Sequence, residues 1–200
     1  MENRIRLGRK AVHVEVFSNF WMAMEFIVAI IAGIKSHSVL LIAFGLDSAL
    51  ELVSGCILIW RLNLEFNGAE TSKVDIAEKR AERFINWILI LLVAYILISS
   101  IYNLWTHEVP DSSTSGLLIS FGSIIVMPIL MFLKRKLGKK LNSHALVEDS
   151  ICNFTCFALA LTVLIGLFFN QFFGFWWAES VASLFVAALI AKEAIGELRE

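Results

Sequence analysis

A chain of 200 residues with 58% hydrophobic side chains, 16 Phe and 6 Trp, and a mean hydropathy of +0.75, is not an ordinary soluble domain, where apolar residues make up about 45–50% even with Gly counted. The formal net charge of −1 says little by itself, the position of the charges says more, and no nucleic-acid partner is expected. What the composition leaves is an all-α integral membrane protein, because a helix satisfies its own backbone hydrogen bonds inside lipid.

A bilayer core of about 30 Å is crossed by about 20 mostly apolar residues, and six such runs are predicted at 16–34, 38–60, 84–105, 115–133, 146–173 and 175–191. They fill residues 1–200 as a single transmembrane domain, with no C-terminal cytoplasmic domain expected. The first run carries a lone acid at its middle, Glu25. It follows a basic N-terminal stretch but opens on polar residues without a small-residue cleavage pattern, so it reads as a retained span rather than a signal peptide.

The second run starts a ruler: from Ser38, offsets of nine and thirteen residues reach Asp47 and Glu51. The two are i, i+4, which stacks them on one helix face about 6 Å apart along the axis. An ionisable side chain within the bilayer costs a few kcal/mol or more and is a functional-site candidate by default. The competing reading is a structural carboxylate pair hydrogen-bonded to a neighbouring helix. Ser48, Ser54 and Gly55 in this run, with Ser180, Ala182 and Ser183 in the sixth, suit close helix packing.

Residues 63–82 are the one long polar stretch, read as a loop that extends the flanking helices. The third and fourth runs carry no charge; Pro110 falls in the loop between them and Pro128 near the end of the fourth.

The fifth run repeats the ruler. From Ser143 the same offsets reach Cys152 and Cys156, with Glu148 and Asp149 near its start. Set beside the second helix, it offers four convergent ligands. Two carboxylates and two thiolates fill a tetrahedral zinc shell, and sulfur shifts preference toward zinc and cadmium over magnesium, calcium or manganese. Against this, a free Cys is also an ordinary small apolar packing residue; that reading weighs more on Cys152 than on Cys156, and most on Cys56, which faces away from Glu51. Phe172, Phe173, Phe175, Trp176 and Trp177 read as an interfacial aromatic belt. His37 and His144 read as solvated residues at helix entrances.

Of the 17 Lys and Arg, all but Lys35 fall on one side of this map. The positive-inside rule then places both termini in the cytoplasm and makes the number of spans even. All three Cys lie within spans, so no disulfide framework is indicated.

The six spans, the i, i+4 ligand pairs of the second and fifth, and two further stretches resemble the transmembrane domain of the cation diffusion facilitator family. Residues 43–52, Ala-Phe-Gly-Leu-Asp-Ser-Ala-Leu-Glu-Leu, are similar to a short bacterial branch of it. So are residues 170–179, Asn-Gln-Phe-Phe-Gly-Phe-Trp-Trp-Ala-Glu, where the family pattern ends in a Trp-Trp-Ala-Asp-Pro type sequence. The resemblance implies a six-helix bundle that exports divalent metal such as zinc from the cytoplasm, usually as a homodimer and in exchange for protons. It implies a bacterial inner membrane, no prosthetic group, and metal-site residues at Asp47, Glu51 and Cys156; Cys152, where the short branch more often has an amide, Asp149, at a common family Asp position that suits a gate or supporting group, and Glu25 are added candidates. Glu179 matches a family acid near the outer face.

The chain departs from the family in three places. Its usual His-x-x-x-Asp in the fifth span is here Cys152-x-x-x-Cys156, Phe44 stands where many members have Asp, and the cytoplasmic metal-binding domain that many carry is not matched. A membrane enzyme using Asp47 and Glu51 as acid and base finds no supporting Ser/His or His-Glu-x-x-His context. A non-transporting metal sensor or scaffold would need the same ligands as a transporter.

Overall fold

The computed structural model describes residues 2–66, 72–107 and 110–197, all of the regular structure in them helical. The helices are α1 (Glu2–Ser36), α2 (Val39–Phe66), α3 (Ser72–Thr106), α4 (Thr114–Leu141), α5 (His144–Phe173) and α6 (Ala178–Glu197). Every one of the six predicted spans lies on its own helix. Most helices run past the apolar core at the basic end, and the polar stretch 63–82 becomes helical extension of α2 and α3, apart from 67–71, which lies outside the described residues. The sixth helix begins at Ala178 rather than at 175, because Phe175 to Trp177 form a turn.

Among the described residues, five helices, α1 to α5, are long and apolar enough to cross a membrane. At 20 residues α6 is about 30 Å long, but falls outside those five. Apolar side chains cover the outside of the bundle: on α3, Leu91, Ile98 and Trp105 are 67%, 70% and 83% exposed. Such a surface would aggregate in water and is what lipid chains require.

Helix ends follow local chemistry. Ser38 caps α2 by accepting from the Leu41 N–H at 3.0 Å, and Ser113 caps α4 by accepting from the Gly116 N–H. Asn142, left-handed at φ 53°, closes α4; only it and Ser143 separate α4 from α5, which forces the pair antiparallel. Gly174, at φ 65°, ends α5 with its N–H on the Asn170 carbonyl, a conformation that favours a residue without Cβ.

Contacts run α1 to α2, α1 to α4, α4 to α5 and α5 back to α2, so these four helices close a ring. The pair α3 and α6 packs on its outside against α2 and α5. The main core joins Ala29, Leu40, Phe44, Leu159, Val163 and Val186. The α1–α2 seam depends on Gly45, where a Cβ would come within 2.9 Å of Ile30 Cγ1. Gly55 meets Asn19 and Gly166 meets Ala182 just as closely, whereas Ser54, expected at a packing seam, is exposed.

Candidate metal centre

Inside the ring, α2 presents Asp47 and Glu51 toward α5. The i, i+4 spacing does what it predicts, and Cys156 of α5 meets the two acids: one ligand atom from each of the three residues lies within 4.8 Å of the others. Asp47 and Cys156 are buried and Glu51 is half-buried. Cys156 Sγ donates to Glu51 Oε2 at 2.9 Å. Bonds of about 2.0–2.3 Å to tetrahedral zinc put donors roughly 3.5 Å apart, so the three would close around an ion with shifts of about an ångström.

The other expected site residues sit elsewhere. Cys152, one turn before Cys156, is half-buried and outside this three-residue cluster. Glu25 is fully buried and is held by donors from three helices: Trp21 Nε1 at 2.7 Å, Ser48 Oγ at 3.2 Å and the Ser123 hydroxyl. Ser48 follows Asp47 in the chain, so Glu25 adjoins the cluster as a separately satisfied carboxylate. Cys56 is exposed and takes a weak contact from Asn19 Nδ2 at 3.6 Å.

Asp149 belongs to a second buried group. Lys134 of α4, none of whose side chain is exposed, lies 2.5 Å from Asp149 Oδ2 and 3.0 Å from Glu15 Oε2 of α1, and donates to Asn153 Oδ1 at 3.3 Å. Lys134 directly follows the predicted fourth span, but α4 continues past it to Leu141 while packed against α1 and α5, which encloses it. Glu15, Lys134 and Asn153 were not foreseen. One signal was available: Glu15, Ser18, Met22 and Glu25 recur at helical spacing, and all four are buried on one face of α1.

A third polar group closes the opposite end. Glu179, in the first turn of α6, accepts from the Ser38 hydroxyl and from Asn170 Nδ2 at 3.3 Å, and the same Nδ2 donates to the Pro110 carbonyl at 3.2 Å. It thereby ties α2, α5 and α6 together. His37, left-handed at φ 54°, lies in the connection from α1 to α2, while the side chains of His144 and Glu148 lie outside the described residues.

A helix ring that exposes hydrocarbon outward and sets carboxylates and a thiol inward is the build of a multi-pass integral membrane protein, and ionisable side chains inside such a bundle are functional-site candidates. The family model of the cation efflux transmembrane domain matches residues 16–200, and the chain belongs to that family. Its members transport metal cations and are not enzymes.

Proposed function

We propose that this cation transporter carries zinc- or cadmium-like divalent ions through the Asp47, Glu51 and Cys156 cluster, exporting them from the cytoplasm in exchange for protons. The convergence of those three side chains from two helices carries the reading. Two carboxylates neutralise a divalent charge, a thiolate adds soft character, and a fourth position stays free for water or a moving ligand. The Cys156 to Glu51 hydrogen bond contains a proton where an ion would sit. A thiol gives up its proton to bind metal, so ion and proton compete for one place, which is the minimum an antiporter needs.

The two flanking polar groups supply closures. On α5, Asp149 and Asn153 precede Cys156 by seven and three residues; on α2, Ser38 precedes Asp47 by nine. At 1.5 Å per residue the clusters stand about 5–10 Å and about 13 Å from the site along the helices, on opposite sides. Opening the Lys134 group would admit ions from the basic end, and opening the Glu179 group would release them at the other. In this scheme six helices span the bilayer, both termini face the cytoplasm of a bacterial cell, and two copies pair as a homodimer.

Purified protein reconstituted into liposomes, with a zinc-sensitive and a pH-sensitive dye inside, tests the proposal. Metal flux accompanied by opposite proton movement is expected. Metal binding without flux would leave a sensor, and flux without a pH change would remove the proton.

A further inference from the structure

Between the basic-end halves of α1 and α4 lies a cavity of about 850 Å³. Arg6, Arg9, Lys10 and His13 face it from α1, and Lys136 and Lys140 from α4. Spacings of three and four residues place each set along one helix face, so the two rows oppose each other across the cavity. Its lining holds no Asp or Glu among the described residues. Apolar residues complete the lining: Leu7 and Leu137 stand among the cations, and Val14 and Leu133 lie beyond them toward the middle of α1 and α4. The positive-inside rule accounts for an excess of cations at this end. It does not gather them around one concavity, where their mutual repulsion calls for an anion.

We propose that this cavity binds the headgroup of an anionic phospholipid, with the phosphodiester between the two cationic rows and the acyl chains along Leu133 and Leu137. Two features favour lipid over a free anion: the cavity opens between helices whose outer faces are apolar, and its membrane-side end is lined by Val14 and Leu133, as suits a basic pocket between membrane helices. Val14 and Leu133 directly precede Glu15 and Lys134, so the bound lipid reaches the level of the buried ion pair that joins α1 to α4.

Native mass spectrometry of the full-length protein in detergent, titrated with phosphatidylglycerol or phosphatidylcholine, tests it. Phosphatidylglycerol is expected to bind at least tenfold more tightly. The double variant Arg9→Gln/Lys136→Gln should lose roughly 25-fold, at about fivefold per cation. Arg135→Gln/Lys139→Gln removes the same charge from exposed positions outside the cavity and should bind within threefold of wild type. The charge-conserving Arg9→Lys/Lys136→Arg should do the same, and it keeps the test open should the first pair lower stability. Equal affinity for the two lipids, equal losses in the two Gln doubles, or loss in the charge-conserving pair would overturn the proposal. Displacement of phosphatidylglycerol by tenfold excess inorganic phosphate would overturn the lipid assignment in favour of a free phosphate site.

Discussion

Lys134 Nζ and Asp149 Oδ2 meet at 2.5 Å across the α4–α5 interface, with the lysine wholly enclosed by protein. Glu15 approaches the same ammonium from α1 at 3.0 Å, so one cation holds three helices at the basic end of the ring. A buried pair of this kind adds little net stability over apolar packing, yet removing one partner strands the others.

Lys134→Met should therefore destabilise the protein by about 3–5 kcal/mol, the cost of leaving buried charge without its partner. Adding Glu15→Gln and Asp149→Asn to the same chain should recover most of the loss. Melting temperatures in detergent measure both. A single variant as stable as wild type would mean that the group is solvated.

Asp47→Ala should abolish zinc flux in proteoliposomes while the protein still inserts and elutes as wild type, because only Glu51 and Cys156 then remain, one ligand short of the three a zinc ion needs beside an open position. Flux at the wild-type rate would remove Asp47 from the ion path.

Cys156→Ser should weaken cadmium binding more than zinc binding, by about tenfold or more, since the softer ion loses more when sulfur becomes oxygen. Cys152, outside the cluster, should tolerate the same change with less than about a threefold effect. Titration calorimetry with each metal decides the matter. Unchanged affinities in Cys156→Ser would make that cysteine a packing residue against Met22 and Met127, its neighbours in the core.

Orientation is tested by single cysteines on a background in which Cys56, Cys152 and Cys156 are replaced by Ala. Ser112, exposed before α4, and Lys139, exposed near its basic end, are suitable positions. Neighbouring Ser113 and Gly138 are not, since Ser113 is buried as a helix cap and a side chain on Gly138 would strike Val147. A membrane-impermeant maleimide added to intact cells should label Ser112→Cys and spare Lys139→Cys. The reverse pattern would place the termini outside.

The sequence by itself determined that the chain lives in a bilayer, because apolar runs of span length follow from composition and position alone. It also determined which helix faces carry chemistry: the i, i+4 rule fixes Asp47 beside Glu51 wherever α2 packs. Periodicity cannot say which residue of one helix meets which residue of another. Only the tertiary structure decided that Cys156 joins both acids in one cluster while Cys152 stays outside it, since the two cysteines share one face of α5 a turn apart and only the register of α5 along α2, a slide of about 6 Å, selects between them. Only packing enclosed Lys134, whose neighbours Arg135 and Lys136 are exposed and whose own burial depends on the acids that α1 and α5 bring to it. Glu25 shows the same division: its depth was legible in the chain, but the donors that satisfy it come from Trp21, Ser48 and Ser123, and the two serines lie on helices whose placement no local rule contains.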